Sequence, residues 1–183
     1  MDAPINFSSD GVTADKVAID RLLGDCVVID ASEQASANSD YRLTMEDVAA
    51  FESAHGQIAP GSIVLMRTDW SKRWPDVKAN LGDDTPGDAS HLSFPSFGAE
   101  ATEFLVDERG VKAVGVDTAS IDYGQSKDFL VHRILADKNI PAFENLTNLD
   151  RLPAKGAFLI ALPMKVGAGS GGPLRAIALI PRQ

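Results

Sequence analysis

Cysteine is nearly absent from this chain of 183 residues, which contains only Cys26. A single thiol cannot form a disulfide within the chain, and it cannot build a zinc site from several thiolates. Cys26 begins the apolar run 26–29, which is typical of a buried strand. We therefore expect an inert thiol in the hydrophobic core.

Long apolar runs and clusters of basic residues are also missing. No stretch approaches the roughly 18 apolar residues that span a bilayer, so we expect no membrane partner. No basic and then apolar signal segment opens the chain, which predicts a cytoplasmic protein unless a signal segment lies upstream of Met1. Acidic residues number 26 against 17 lysines and arginines, and the formal net charge of −9 disfavours nucleic acid as a partner.

What is present is the composition of a folded domain. Hydrophobic residues make up 44% of the chain and charged residues 23%, which indicates one domain with a substantial buried core. Short apolar runs bounded by glycine, proline or aspartate predict buried strands at residues 26–29, 63–66, 113–116, 157–162 and 176–180. Helical segments alternate with these runs, so we predict a single α/β domain over residues 1–183.

The first two helices are predicted from the signals at their ends. Thr44 and Asp47 form a capping-box pattern, and Gly56 is placed to stop the helix that they open. A second helix is expected over about 99–108, with Gly110 as its stop signal.

The third helix precedes the most polar candidate residues. It is expected to run from Asp128, as N-cap, to about Asn139, with an inward apolar face that begins with Phe129 and Leu130. Between the second strand and the second helix, the stretch 71–98 is rich in aspartate, glycine and proline. This composition predicts a long irregular loop, which is either a cover over a functional region or a disordered insert.

Histidines and carboxylates are the candidates for chemistry. His132 lies on the predicted third helix, and Glu144 follows twelve residues later. Taken alone, His132 is more typical of a half-buried histidine bonded to backbone, and Glu144 of a carboxylate that caps a loop. Asp2 lies in the segment Met-Asp-Ala-Pro-Ile-Asn-Phe, which alone is typical of a solvated terminus. His55 ends the first helix, where the helix dipole favours it, and we assign it no chemistry.

Two glycine-containing motifs carry little functional signal. Residues 124–128 approach the Gly-x-Ser-x-Gly nucleophile elbow, but an aspartate replaces the final glycine, which weakens a serine-hydrolase interpretation. The glycine-rich run 167–172 lacks the Gly-Lys-Ser/Thr of a phosphate loop and precedes a strand. Its expected role is to let two backbone segments approach closely.

Taken together, these segments resemble the cyclase family of metal-dependent hydrolases, which includes bacterial kynurenine formamidase and isatin hydrolase. Asp2 and Pro4 match the last third of the family signature His-x-Gly-Thr-His-x-Asp-x-Pro-x-His, and Asn6 stands at its final histidine. His132 and Glu144 have the spacing of the family's remaining ligands. Further blocks that look like the family's lie at residues 64–70, 115–122, 144–149 and 167–173.

The resemblance implies a fold, a site and an activity. The fold would be α/β, in the swivelling β/β/α arrangement of kynurenine formamidase, assembled as a homodimer or higher oligomer. Asp2, His132 and Glu144 would bind zinc or manganese, and metal-bound hydroxide would hydrolyse a carbon–nitrogen bond in a small amide, formamide or cyclic amide. The first two histidines of the signature would precede residue 1, so we expect the chain to lack the N-terminal part that carries them.

Asn6 puts catalysis by this chain in question. Asparagine cannot accept and release a proton as histidine does, so the family's acid/base step has no obvious agent at this position. The alternative function is a non-catalytic or impaired remnant of the same fold that acts through oligomer contacts. Trp70 and His91 are candidate substrate-binding residues from their positions at and within the long loop, although the sequence around His91 is more typical of a solvated loop residue.

Overall fold

The apolar runs of the sequence form the centre of the fold in the computed structural model, which describes residues 1–181. The strands are β1 (Leu23–Asp30), β2 (Arg42–Leu43), β3 (Ile63–Arg67), β4 (Ser96–Phe97), β5 (Ala113–Val116), β6 (Ala142–Phe143), β7 (Lys155–Pro163) and β8 (Leu174–Leu179). Six of them form one sheet in the order β6–β5–β3–β1–β7–β8, and β2 pairs with β4. Strands β6, β5, β3 and β1 are parallel, whereas β7 and β8 are antiparallel. All five predicted strands lie in this sheet, which confirms the α/β class.

Helices cover the sheet between its parallel strands. They are α1 (Ser32–Ala37), α2 (Met45–His55), α3 (Val77–Leu81), α4 (Ala99–Asp107) and α5 (Leu130–Asp137). The predicted capping box is confirmed, because Thr44 accepts from the Asp47 backbone and the Asp47 carboxylate accepts from the Thr44 backbone. Gly56 ends α2 with a φ of 81°, a conformation that glycine adopts without strain.

Two predictions about local structure are wrong in part. Asp128 does not cap α5, because Phe129 occupies the N-cap position, and both Phe129 and Leu130 are exposed rather than inward. Asp122 caps the helix from an earlier segment, and Phe129 lies beside the Phe7 ring, with ring centroids 5.6 Å apart. The stretch 71–98 is less irregular than predicted, since it contains α3 and β4 as well as most of a 3-10 helix.

The core has two layers, one on each face of the sheet. Alternate residues of β1 divide between them: Val27 and Ile29 face the layer formed with α2, α4 and α5, whereas Cys26 and Val28 face the other layer. Cys26 is buried as predicted, and burial raises the pKa of its thiol to about 11. Among residues 1–181, no helix is long and apolar enough to cross a membrane.

Residues 1–181 leave one apolar face of the last hairpin uncovered. Leu162 of β7 and Ile177 and Leu179 of β8 are 44%, 51% and 58% exposed. In the same region, Gly172 exchanges two backbone hydrogen bonds with Met1, and a Cβ atom on Gly171 would lie 2.6 Å from the Met1 carbonyl oxygen. The glycine-rich run therefore permits the close backbone approach that its sequence predicts.

An ion-pair cluster at the carboxyl end of β3 gives a test of stability against pH. Hydrogen bonds from Arg67 and Lys72 lower the pKa of Asp69 to about 2, so this carboxylate stabilises the fold above pH 4. That contribution, on the order of 1 to 2 kcal/mol, is lost as pH falls from about 4 to about 2. Asp69→Asn should lower the free energy of unfolding at pH 7 by this amount and flatten its acid dependence, as measured by urea denaturation.

Asparagine tolerates the left-handed backbone of residue 69 (φ 61°), so the substitution isolates the charge. Asp30→Asn, at a half-exposed carboxylate that also pairs with Arg67, is the control with a smaller expected effect; equal losses would contradict the assignment.

Candidate metal centre

The candidate site lies beyond the carboxyl ends of two neighbouring parallel strands. Glu144 directly follows β6, and the segment 117–122 directly follows β5. Helix α5 returns over this edge and brings His132 to it. Ligand sites in open α/β sheets commonly occupy this position, because the loops after parallel strands converge there.

Asp2 reaches the same edge from the start of the chain. Its backbone N–H donates to the carbonyl of Ala142 at 2.9 Å, and the Ala142 N–H donates back to it at 3.2 Å. Asp2 also forms an antiparallel bridge with Gly171. From the sequence alone, this segment is typical of a frayed terminus. In the structure, backbone contacts hold it on both sides.

The three predicted ligands meet. The His132 Nε2 atom lies 3.4 Å from Oδ2 of Asp2 and 3.3 Å from Oε1 of Glu144. One donor atom from each residue lies within 4.8 Å of the other two. Two donors placed 2.0–2.1 Å from one tetrahedral ion would be about 3.3 Å apart, so the separations at Nε2 would accommodate one shared ion.

The charges in the site are those that a cation would stabilise. Burial of Glu144 raises its pKa, since the hydrogen bond with His132 only partly offsets the lost solvation, and the nearby charge of Asp2 raises it further. Burial also raises the pKa of Asp2, but the hydrogen bond and charge of His132 outweigh it and bring this pKa below its usual range. Two carboxylates thus share one small, mostly buried space.

The hydrogen-bond partners of His132 favour the protonated form of its ring. Burial lowers its pKa, but hydrogen bonds with Asp122, Asp2 and Glu144 outweigh burial and raise the pKa to about 10. The ring is buried, and Phe7 stacks on it with ring centroids 4.1 Å apart. Binding of a cation at Nε2 would displace the proton there, because a histidine binds metal through a neutral imidazole nitrogen. The donor set, one imidazole and two carboxylates, fits a divalent zinc or manganese ion.

Three other predicted site residues lie at different distances from this centre. Asn6 is exposed, and its Nδ2 atom lies 3.4 Å from Oδ1 of Asp2, beside the triad. Trp70 is buried, and its indole N–H donates to the Asn80 carbonyl at 2.7 Å. The cavity of about 300 Å³ that it lines contains no residue of the triad. His91 is exposed in the long loop. The structure therefore brings Asn6 to the site, while substrate roles for Trp70 and His91 stay predictions.

Two neighbouring residues hold the triad in place, and the sequence pattern did not single them out. The Ile121 N–H donates to Oε1 of Glu144 at 2.9 Å. The Asp122 carboxylate lies 2.7 Å from His132 Nδ1 through its Oδ2 atom. Both residues fall in the block 115–122, whose likeness to the family was a signal, but nothing in the local spacing indicates these contacts.

The glycine–serine motif has a structural role in this geometry. The Ser126 hydroxyl contacts the Asp128 carboxylate at 3.2 Å and accepts the Phe129 N–H at 3.1 Å. These bonds form the turn that leads into α5. The weak serine-hydrolase interpretation gains no support from them.

Comparisons with known proteins agree on one family. Residues 1–123 match the Cyclase family. An isatin hydrolase from Roseibium aggregatum is 39% identical over 178 residues, which cover 95% of this chain and 65% of the relative. A kynurenine formamidase from Erythrobacter litoralis is 30% identical over 176 residues, which cover 96% of this chain and 69% of the relative.

A solved structure gives the same result for the fold. Isatin hydrolase A from Ralstonia solanacearum matches with a TM-score of 0.90 and 39% identity, over 98% of this chain and 70% of that chain. The predicted cyclase-type fold is thereby confirmed. The chain spans less than two thirds of the length of the Roseibium aggregatum relative. That further histidine ligands lie outside these 183 residues stays a prediction.

Proposed function

Because this chain belongs to the Cyclase family, we propose that it provides the site of a metal-dependent hydrolase acting on a carbon–nitrogen bond. The substrate would be a small amide, formamide or cyclic amide. Relatives named isatin hydrolase and kynurenine formamidase support this substrate class. The assembly as a homodimer or higher oligomer and the cytoplasmic location belong to the same proposal.

One observation carries the proposal. Three side chains from distant parts of the chain place an imidazole nitrogen and two carboxylate oxygens within 4.8 Å of one another. Two carboxylates buried together are unfavourable unless positive charge lies beside them, and a divalent ion would supply more of it than the single charge of a protonated His132. We propose that Asp2, His132 and Glu144 bind zinc or manganese.

The chain's own residues would orient the reaction. When bound, either ion would lower the pKa of coordinated water toward about 7 and polarise the amide carbonyl. His132 presents Nε2 to the site while Asp122 holds Nδ1, and the Ile121 N–H holds Oε1 of Glu144. Asn6 lies where a proton acceptor would be needed, and its amide cannot serve as one. We therefore expect slow hydrolysis by the chain as given.

A second candidate function rests on two observations. Asn6 in place of histidine and the exposed apolar face at Leu162, Ile177 and Leu179 both suit a non-catalytic remnant that acts through oligomer contacts. Retention of the complete Asp2, His132 and Glu144 cluster favours the hydrolase, since a remnant has no use for paired buried carboxylates.

Metal content and turnover test the proposal together. We expect substoichiometric zinc or manganese by elemental analysis, because the three predicted ligands include a single imidazole, whereas catalytic sites of the His₃ and His₂Glu types have two or three. We also expect slow hydrolysis of a panel containing isatin, a linear amide and an N-formyl amine. A chelator should abolish that hydrolysis, and added zinc or manganese should restore it. Hydrolysis that persists in the chelator would contradict the mechanism. Bound metal with no hydrolysis of any panel member would favour the remnant.

A further inference from the structure

Both carboxylate oxygens of Asp122 accept hydrogen bonds within the protein. The residue is 2% exposed. Its Oδ1 atom accepts the Val131 N–H at 3.0 Å, and its Oδ2 atom accepts the His132 N–H at 3.1 Å and lies 2.7 Å from His132 Nδ1. A single buried side chain therefore contacts both the backbone and the ring of a predicted metal ligand.

The backbone contacts make Asp122 a cap supplied from outside the helix. Helix α5 begins at Leu130, after Phe129 in a left-handed conformation (φ 50°), and phenylalanine has no polar side chain with which to cap it. The N–H groups of the second and third helical residues are those that an N-cap side chain normally satisfies. Asp122 satisfies both from nine residues upstream, and its negative charge suits the helix N-terminus.

The ring contact determines which nitrogen of His132 is available. A carboxylate can only accept, so Nδ1 must carry a proton to bond with Asp122. Once the ring is neutral, Nε2 is left with a lone pair, and Nε2 is the atom that faces Asp2 and Glu144. Carboxylates bonded to the second nitrogen of a metal-ligating histidine fix its tautomer and orientation in this way.

We propose that Asp122 is a positioning residue that holds the His132 imidazole in its metal-binding tautomer and direction, beyond its role as a helix cap. This inference rests on the proposed metal site. Asp122 acts jointly with its neighbour, because the Ile121 N–H holds Glu144. The Ser96 hydroxyl in turn donates to the Ile121 carbonyl. Because Ile121 and Asp122 are consecutive residues, one short backbone segment holds both His132 and Glu144 and fixes the distance between their donor atoms.

Asp122→Asn separates ring orientation from capping when it is compared with Asp47→Asn. Asp47 is also a capping carboxylate at a helix start, on α2, but it contacts Tyr41 and Thr44 rather than the triad. With one oxygen replaced by an amide NH₂, Asp122→Asn either loses a cap acceptor or donates to Nδ1 and favours the wrong tautomer. We expect zinc binding, measured by competition with a chromogenic chelator, to weaken by about 10- to 100-fold in Asp122→Asn. Asp47→Asn should bind zinc within about twofold of the parent chain while losing stability as a cap variant does.

Nitrogen NMR of ¹⁵N-histidine-labelled protein provides the readout that a purely structural role would not move. In the zinc-loaded parent chain, His132 should show a protonated Nδ1 and a metal-bound Nε2, and the Nδ1–H signal should shift or vanish in Asp122→Asn but not in Asp47→Asn. Equal zinc affinities, or equal losses in both variants, would overturn the inference. If Asp122→Asn does not fold, the parent spectrum decides, and metal at Nδ1 overturns it. If the parent binds no zinc, the proposed function fails and this inference fails with it; if the parent binds zinc and Asp122→Asn binds it equally well, this inference alone fails.

Discussion

Replacing His132 with alanine is expected to abolish measurable zinc or manganese binding and, with it, amide hydrolysis. His132 supplies the nitrogen of the triad, and its Nε2 atom is the donor from which both carboxylate separations, 3.4 and 3.3 Å, are measured. Without it, two carboxylates remain, whereas a catalytic metal site of this kind holds its ion with three protein ligands. We expect the dissociation constant to rise by more than about 100-fold, since a directly bound ligand should count at least as much as the outer contacts that cost 10- to 100-fold.

The variant must be shown to be folded, because His132→Ala also removes the ring that bonds to buried Asp122. Circular dichroism and urea denaturation report this, and the two backbone N–H bonds to Asp122 should preserve α5. His55→Ala and His91→Ala are matched controls, since both side chains are exposed and outside the triad. Zinc affinity that survives in folded His132→Ala, or falls equally in His55→Ala, would refute the site.

Replacing Asn6 with histidine is expected to raise hydrolysis by about 10²-fold or more. Asn6 Nδ2 lies 3.4 Å from Oδ1 of Asp2, so an imidazole at this exposed position can reach the same side of the site. A positioned general base typically contributes 10²- to 10⁴-fold, and a histidine is most effective near neutral pH. The gain in kcat/KM should develop as pH rises through about 6.5, where a free imidazole loses its proton.

Asn6→Gln is the control for this prediction, because it keeps an amide donor and adds no proton acceptor. It should leave kcat/KM nearly unchanged. Tighter zinc binding by Asn6→His with no gain in turnover would identify residue 6 as a ligand position rather than a base. No change in either quantity would show that asparagine at this position is no defect.

The central strands were predictable because a strand buried on both faces shows in the sequence as a short run of apolar residues. The runs 26–29, 63–66 and 113–116 are apolar on both faces, as strands covered by two layers must be. The strands β2, β4 and β6 were not predicted, because two residues are too few to show a periodic pattern of apolar side chains.

The start of α5 was mispredicted for a tertiary reason. Asp128 has the residue type of an N-cap, but the side chain that caps the helix is the carboxylate of Asp122, which lies nine residues before Val131 in the sequence. Helix-end signals are read within a few residues, so a cap delivered by a separate segment leaves no local trace.

The site was predictable only through family resemblance. Asp2 and His132 are 130 residues apart, and no periodicity within the chain relates them. The resemblance identified the three residues that meet and included Ile121 and Asp122 in a family-like block, but it gave no role to these two residues, which hold the others. Trp70 was chosen from its place at the start of a loop. Its buried indole and separate cavity show that position along the chain does not determine which cavity a side chain lines.

The position of Asp2 has a topological consequence. An ion bound by both Asp2 and His132 would close a loop of about 130 residues, as a covalent cross-link would. Because these 183 residues contain one cysteine, they form no internal disulfide, and the bound ion would constrain the chain as a disulfide does elsewhere. Removing it would leave the first residues held by their backbone bonds with Ala142 and Gly172 and by the contact of Asp2 with His132, so protease cleavage near the start of the chain should become faster when the metal is removed.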